Sequence, residues 1–412
     1  MNEYDVIVIG GGAAGMLAAA EAAKRGLKVA LLERNDRMGI KLRITGKGRC
    51  NLTNNCPVRE VVENTPTGGK FLFSALNAFT PQDVMRYFTD LGVPLKTERG
   101  NRVFPESDRA RDVTEALLRQ LEKTGVEVFY KTAASDVLVD EIGAVRAVLT
   151  SRGEFPCRAA ILCTGGLSYP RTGSTGDGLK IARRLGHTIF PPRPSLVPLE
   201  ASSEICGRMQ GLALKNVAVT VYDGGKKPLY EDFGELLFTH FGVSGPLVLS
   251  ASAHLREFDR KKYRISIDLK PALDEKDLDA RLLRDFEKYS NRDFANALGD
   301  LLPRLMIPVI VDLSGIPPEQ KVHSITKQQR QALLNLIKNF TIEVMGPRPI
   351  DEAIITSGGV STKEISPKTM ESKRVPGLYF AGEIIDADAY TGGFNLQIAW
   401  STAYAAATHT VM

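Results

Sequence analysis

The chain opens with an apolar strand that runs directly into closely spaced glycines. Residues 5–9 precede Gly10, Gly12 and Gly15 at G-x-G-x-x-G spacing, and a helix of small residues begins among them. In this fingerprint the first glycine permits a tight turn, the second lets a pyrophosphate approach, and the third lets the helix pack on the strand. The order predicts a parallel α/β fold that binds a dinucleotide; a glycine-rich turn without a ligand is the alternative.

The continuation of the chain supports the same fold. A second strand, residues 27–33, ends in Glu33 about 20 residues after the glycines, where such folds place an acceptor for ribose hydroxyls. Ala13 and Ala14 lie in the first helical turn, whose N–H groups and partial positive charge attract phosphates.

Composition narrows the class of protein. A chain of 412 residues predicts two or three domains, and no apolar run approaches the ~20 residues of a membrane span. Because a core strand begins at Tyr4, we expect no signal peptide. The five cysteines are an odd number, which fits a reducing cytoplasm better than a disulfide framework, and their spacing predicts no metal site.

A cationic loop follows the second strand. The net charge of +5 is mild, but Arg37, Lys41, Arg43, Lys47 and Arg49 lie close together among glycines. One interpretation is an anion-facing loop that serves the cofactor pyrophosphate or a polyanionic substrate. The other is an ordinary solvated loop.

The remaining pattern predicts local elements. Residues 36–68 look irregular, and Thr80, Pro81 and Asp83 predict a capped helix that stops at Gly92. Further predictions are a hairpin at 96–104, a helix at 109–124, and an antiparallel meander at 136–140, 144–150 and 155–163. Beyond Pro194 the pattern predicts strands at 217–222 and 265–269, helices at 274–305 and 317–340, a strand at 377–383, and a helix that opens at residues 391–395.

These elements suggest one domain made from both chain ends. We expect a Rossmann-like cofactor-binding domain formed by residues 1–194 and 346–412. Residues 195–345 form an inserted β-rich and helical region.

The carboxyl-terminal part favours FAD over a nicotinamide cofactor. The strand ending at Gly382 and Glu383 and the helix that starts at Gly392 and Gly393 suit the flavin half of FAD. A helix N-terminus stabilises negative charge near the flavin N1/C2 edge, and Asp386 can bind ribityl hydroxyls.

Several blocks resemble known flavoproteins. Residues 10–33, 164–166, 175–178 and 382–393 are similar to the two-dinucleotide-binding-domain flavoproteins. Blocks 43–54, 237–246 and 391–397 resemble the narrower BaiN-like family, also described as NAD(FAD)-utilising dehydrogenase or aminoacetone-oxidase-like. The resemblance covers essentially the whole chain. It implies FAD, an inserted β-barrel-like domain and a small helical subdomain, and members are associated with flavin reduction, enone saturation and uridine reduction in ribosomal RNA.

Two sets of site residues are predicted. The catalytic set is Lys41, Thr45, His240 and Ser244; a histidine satisfied by backbone in a tight turn is the alternative for His240. The cofactor-binding set is Gly10, Gly12, Ala13, Ala14, Gly15, Glu33, Arg34, Lys41, Gly46, Asn51, Thr164, Gly165, Gly166, Gly382, Glu383, Asp386, Gly392, Gly393, Phe394 and Asn395.

The expected activity is an FAD-dependent NAD(P)H oxidoreductase that reduces an electron-poor C=C acceptor, an enone or uridine in ribosomal RNA. No second G-x-G-x-x-G follows a strand, so NADH or NADPH is expected to visit the flavin transiently. The alternatives are a small-amine oxidase that uses oxygen and a non-catalytic, FAD-bearing RNA-binding module.

Overall fold

The computed structural model describes residues 3–411, which form two compact units. The first unit consists of the chain up to Ser195 and from Pro349 onward, and the second is Leu196–Arg348. The amino-terminal part of the first unit contains, in chain order, β1 (Tyr4–Ile9), α1 (Ala13–Lys24), β2 (Val29–Leu32), α2 (Ile40–Ile44), β3 (Thr53–Asn54), α3 (Val58–Glu63), α4 (Gly69–Ala78), α5 (Pro81–Asp90), β4 (Leu95–Glu98), β5 (Arg102–Pro105), α6 (Ala110–Lys123), β6 (Glu127–Phe129), β7 (Ala134–Val139), β8 (Val145–Thr150), β9 (Gly153–Leu162), α7 (Asp177–Arg184) and β10 (Ile189–Ser195).

A mostly parallel sheet forms the core of this unit. Strands β6, β2, β1 and β9 are parallel neighbours in that order. β1 is almost wholly buried, which is why it is an apolar run rather than an alternating one. The first part of β9 pairs antiparallel with β8, and its second part lies parallel to β1. The predicted meander is therefore confirmed, and its last strand continues into the parallel sheet.

Local capping and turn chemistry gave several correct predictions. Thr80 caps α5: its Oγ1 accepts from Asp83 N at 3.2 Å, and Thr80 N donates to Asp83 Oδ2 at 3.0 Å. The predicted hairpin is β4–β5. The expectation of an irregular segment at 36–68 was wrong, because this stretch contains α2, β3 and α3.

The second unit contains a closed barrel with helices. Its elements are β11 (Leu199–Ala201), α8 (Ser203–Arg208), β12 (Ala213–Tyr222), β13 (Tyr230–Thr239), β14 (Gly242–Ser244), α9 (Pro246–Ser252), β15 (Tyr263–Asp268), α10 (Glu275–Lys288), α11 (Ile307–Ser314), α12 (Lys327–Lys338) and β16 (Phe340–Pro347). The barrel order is β11-β14-β13-β12-β15-β16, closed by β16 against β11. Val217, Val219 and Val221 alternate with less buried residues along β12, as the two faces of a barrel strand require.

The two long helices predicted in this unit were wrong in extent. α10 ends at Lys288, and Gly299 and Pro303 stand in the non-helical stretch that follows. α12 begins only at Lys327, where Thr326 and Gln329 form a reciprocal cap. α11 lies between the two predicted stretches.

The carboxyl-terminal part completes the first unit with β17 (Ile355–Val360), β18 (Leu378–Phe380) and α13 (Phe394–His409). β18 adds in parallel beside β9, and α13 packs against α1 and α4. Both chain ends therefore build one sheet and one helical layer. Among residues 3–411, no helix combines the length and the apolar character needed to cross a bilayer.

The chain leaves the first unit along β10 and returns along β17, and these two strands pair antiparallel. The fully buried Asp388 carboxylate accepts hydrogen bonds from Ser195 Oγ at 3.0 Å and Ser357 Oγ at 2.8 Å. One side chain thus holds the last residue before the second unit and a residue of the returning strand.

Candidate functional site

A cavity in the first unit is lined by both ends of the chain. It lies at the carboxyl ends of β1, β2 and β9, the edge where open α/β sheets bind ligands. Its lining includes the predicted residues Gly10, Gly12, Ala13, Ala14, Glu33, Arg34, Lys41, Thr45, Thr164, Gly165, Gly382, Glu383 and Asn395.

The fingerprint glycines meet different demands. A Cβ on Gly15 would lie 1.8 Å from Gly10 O, and one on Gly10 would lie 2.6 Å from Cys163 O. These two glycines therefore allow helix and strands to approach closely. A Cβ on Gly12 would meet no described atom within 4 Å, and within residues 3–411 no side chain caps α1 at Gly12. Gly12 faces open space beside the N–H groups of a helix N-terminus.

The Glu33 carboxylate is buried and fixed by two backbone amides. Gly11 N donates to Oε2 and Asn35 N donates to Oε1, both at 2.8 Å. A carboxylate can accept about four hydrogen bonds, so these two contacts orient the group and leave acceptor capacity for a ligand hydroxyl.

An ion pair joins two segments of the cavity wall near Glu33. Arg34 Nη1 lies 2.7 Å from Asp177 Oδ2 and also contacts Thr175 Oγ1. Partial burial alone raises the pKa of Asp177, but hydrogen bonds from Thr175 and Lys180, together with the Arg34 charge, hold that pKa below its ordinary value. The Asp177 carboxylate therefore stays ionised beside Arg34.

A polar network surrounds Lys41. Its Nζ donates to Glu383 Oε2 at 2.5 Å and to Ser168 Oγ at 2.6 Å. The other oxygen of Glu383 accepts from Ser168 Oγ at 2.8 Å and from Thr356 N at 2.9 Å. Both charged side chains are mostly shielded from solvent, so their mutual attraction is stronger than at an open surface. The cation on the cavity wall is held in one position.

The glycines before α13 lie against protein backbone. A Cβ on Gly393 would lie 2.3 Å from Thr53 O, and Gly393 N lies 2.9 Å from the Asn51 side-chain oxygen when that amide is oriented to match its neighbours. Gly393 therefore packs against Thr53 and lies outside the cavity lining, and the prediction that this helix N-terminus faces the flavin stays a prediction. Asn395 and Leu396, in the first turn of α13, line the cavity instead.

Other predicted residues also lie outside the lining. They are Gly15, Gly46, Asn51, Gly166, Asp386, Gly392 and Phe394. Packing explains several of them: a Cβ on Gly166 would lie 2.3 Å from Thr356 Oγ1, and one on Gly46 2.9 Å from Asn51 N.

Two predicted catalytic residues belong to the second unit. His240 is exposed in the turn between β13 and β14, and Ser244 ends β14. Their catalytic role stays a prediction. In the first unit, Thr45 Oγ1 donates to Leu42 O at 2.7 Å and keeps its acceptor lone pairs.

The cationic loop is partly neutralised within the protein. Arg49 contacts Glu98 and lies 2.6 Å from Asp108, and its guanidinium stacks over Phe104. The Arg49 guanidinium is therefore engaged by carboxylates and an aromatic ring of the protein itself. Cys50 beside it is fully buried, which raises the pKa of its thiol to about 12.

Sequence reasoning missed several residues of the site. Ser168 and Thr356 hydrogen-bond to Glu383 and fix its position. Asp177 pairs with Arg34, an ion pair that the flavoprotein-like block at 175–178 did not indicate. Ser168 and Thr356 stand in no recognisable spacing: Ser168 lies 215 residues from Glu383 in sequence, and Thr356 lies 27 residues from it.

The residues present fit a dinucleotide. Gly12 leaves room at an uncapped helix N-terminus for phosphates, and the oriented Glu33 carboxylate offers an acceptor to ribose. Lys41 and the first turn of α13 place positive charge and N–H groups in the same cavity wall.

Comparisons with known proteins agree with this geometry. Residues 4–409 match the family described as "HI0933-like protein Rossmann domain". The ribosomal RNA dihydrouridine synthase of Escherichia coli K12 is 33% identical over 413 residues, covering 99% of this chain and 98% of that protein. The 3-dehydro-bile acid delta(4,6)-reductase of Clostridium scindens is 30% identical over 407 residues, covering 97% of each.

A solved structure shares the fold. The 3-ketosteroid delta1-dehydrogenase from Sterolibacterium denitrificans aligns with 100% of this chain and 99% of its own, with a TM-score of 0.54 and 14% identity. At this identity the likeness concerns the fold alone.

Proposed function

Because the chain belongs to the HI0933-like family of FAD-binding Rossmann flavoproteins and is an oxidoreductase of that family, we propose that it reduces an electron-poor C=C bond with hydride that originates from NAD(P)H. The proposed acceptor is uridine in ribosomal RNA. The observation that carries this choice is full-length similarity, at 33% identity, to a protein named ribosomal RNA dihydrouridine synthase.

The names of two relatives point to one reaction type. Dihydrouridine is uridine with two hydrogens added to the ring double bond, and a delta(4,6)-reductase adds hydrogen to C=C bonds. Each addition requires a hydride at one alkene carbon and a proton at its neighbour. Bound FAD supplies the hydride chemistry.

Side chains of this protein are proposed to stabilise the developing negative charge and to supply the proton for such a reaction. Lys41 is proposed to stabilise the negative charge that develops on an acceptor carbonyl, and its contacts with Glu383 and Ser168 support this by holding the ammonium in one position. His240 is proposed as a proton donor, with Ser244 and Thr45 as orienting hydroxyls. A His240→Asn variant tests that role: slower reoxidation of the photoreduced protein by the acceptor, with unchanged reduction by the nicotinamide, supports it.

The deciding experiment separates electron donor from electron acceptor. The purified protein is titrated anaerobically with NADH and, in parallel, NADPH while the visible flavin absorbance is followed. Photoreduced protein is then mixed with uridine-containing ribosomal RNA fragments, and nucleosides are examined by mass spectrometry. Reoxidation of the protein together with dihydrouridine in the RNA is the expected result.

Each alternative predicts a different outcome. A small-amine oxidase is reduced by amines and reoxidised rapidly in air, and its photoreduced form leaves RNA unchanged. A non-catalytic FAD-bearing RNA-binding module binds RNA but never loses its absorbance with either nicotinamide. Either pattern contradicts the proposed activity.

A further inference from the structure

The β4–β5 hairpin carries two exposed arginines at its tip, Arg99 and Arg102. Arg102 Nε donates to Arg99 O at 3.0 Å, which keeps its guanidinium at the turn. The remaining N–H groups of both guanidinium planes are directed at no carboxylate: among residues 3–411, neither arginine forms an ion pair.

The acidic residues next to this tip are engaged by other cations. Asp108 lies 2.6 Å from Lys96 Nζ and 2.6 Å from Arg49, and Glu98 is bonded to Arg49. The hydrogen bond from Arg49 lowers the pKa of Glu98, and those from Lys96 and Arg49 lower the pKa of Asp108. Both carboxylates are therefore ionised, and their negative charge is neutralised by Arg49 and Lys96. Within the described part of the chain, the positive charge of the two arginines at the tip is left unneutralised.

The tip is attached to the turn that begins the cavity-lining helix. Asn54 Nδ2 donates to Gly100 O and to Gly392 O, both at 3.0 Å. Asn55 N donates to Asn101 O at 2.7 Å. Three residues after Gly392, Asn395 lines the cavity. Backbone and amide contacts thus connect the hairpin tip that carries the two arginines to the turn before the cavity-lining helix.

We propose that Arg99 and Arg102 bind backbone phosphates of an RNA substrate whose reacting base approaches the dinucleotide held in the cavity; this deepens, and rests on, the proposed function. A guanidinium matches the paired oxygens of a phosphate, and its charge persists at every physiological pH. A free nucleoside offers no phosphate to this tip, whereas a polynucleotide places one on each side of the reacting base. The arginines therefore favour RNA over small acceptors.

The test uses FAD-loaded protein and a fluorescein-labelled, uridine-containing single-stranded RNA of about 20 nucleotides. Binding is measured by anisotropy from about 50 to about 200 mM salt, because each neutralised phosphate contributes about 0.7 to the slope of log Kd against log salt. The double variant Arg99→Gln/Arg102→Gln is compared with the wild type. The matched control is Arg183→Gln/Lys368→Gln, which removes the same charge from exposed positions elsewhere in the first unit.

The arginine variant is expected to reduce the salt slope by about 1.4 and to weaken binding about tenfold at the lowest salt. The control stays within about twofold of the wild type, and Arg99→Lys/Arg102→Lys keeps most of the slope because the charge remains. FAD content and melting temperature establish that each variant is folded.

The inference is overturned if the arginine variant keeps the wild-type slope of log Kd against log salt. It is also overturned if the control variant loses as much affinity as the arginine variant, because the effect then depends on net charge alone. These outcomes leave the proposed function standing if the wild type forms dihydrouridine in RNA. If the wild type shows no salt-dependent RNA binding and does not react with RNA, the proposal of an RNA substrate and the proposal of phosphate contacts are both overturned.

Discussion

The Lys41 ammonium lies 2.5 Å from Oε2 of Glu383, although one residue follows the first βαβ unit and the other precedes the last helix. The pair joins the two chain ends across the cavity wall. Ser168 binds both partners, so the geometry is fixed by three side chains rather than by one flexible contact.

Breaking this pair is expected to lower stability non-additively. Lys41→Met and Glu383→Gln should each reduce the free energy of unfolding by about 1–3 kcal/mol, because each leaves a partly buried charge with fewer partners. The double variant should be more stable than the sum predicts by about 1–2 kcal/mol. Urea unfolding of the FAD-free proteins measures the cycle; additivity within about 0.3 kcal/mol contradicts the coupling.

Substitutions of two glycines three residues apart, Gly12 and Gly15, should separate packing from ligand binding. Gly15→Ala places a methyl group 1.8 Å from Gly10 O and should destabilise the fold by more than about 3 kcal/mol. The methyl group of Gly12→Ala lies within 4 Å of no described atom, so this variant should change the free energy of unfolding by less than about 1 kcal/mol. The same methyl group fills the space left for the phosphates and should weaken FAD binding at least about tenfold. Thermal melting and FAD titration provide the two measurements, and a Gly12→Ala protein with normal FAD affinity contradicts the assignment.

Glu33→Gln should weaken FAD binding by about 10- to 100-fold. The amide replaces one acceptor oxygen by an NH2 group, which then faces a backbone N–H and offers less to a ribose hydroxyl. Quenching of flavin fluorescence during reconstitution measures the Kd. Asp36→Asn, an exposed carboxylate paired with Arg37, serves as the control and should bind FAD normally.

Stability should fall in mild acid because of one buried histidine. Burial lowers the pKa of His187 below its ordinary value of 6.5, against the opposing effect of Glu364. The unfolded chain therefore binds the proton more readily, and stability decreases as the pH drops through 6.5. The hydrogen bond from Arg374 lowers the pKa of Glu364 to about 2, so Glu364 stays ionised in this range.

The measurement is urea unfolding at about pH 7.5 and about pH 5.5. His187→Gln keeps a hydrogen-bonding group near Ser372, which lies 2.9 Å from His187 Nε2, but cannot titrate. The wild type should lose more stability between the two pH values than the variant. Equal losses assign the acid sensitivity to other groups.

Local chemistry explains which parts of the fold were readable from the sequence. The glycine spacing, the Thr80 cap and the β4–β5 turn each depend on neighbours a few residues away, and the structure has the corresponding elements. The predicted helix at 274–305 was too long because the polar and charged residues after Lys288 were interpreted as helical. Gly299 and Pro303 in this stretch disfavour a continuous helix.

The candidate site was less readable, because its fixed geometry arises from contacts between distant segments. Ser168 Oγ reaches Glu383 and Asn51 reaches Gly393 only after the two chain ends have folded together. Residue types indicated a cavity with glycines, a carboxylate and cations. Asn395 was among the predicted cofactor-binding residues, but nothing in the spacing indicated that Gly393 would instead lie against Thr53.

The pairing of β10 with β17, closed by Asp388, has an evolutionary consequence. An inserted segment that leaves and re-enters a domain through two adjacent strands can be lengthened, shortened or replaced. The pairing of those two strands is preserved in each case. Because Ser195 and Ser357 both bind the Asp388 carboxylate, changes of length within residues 196–348 leave this junction of the first unit unaltered.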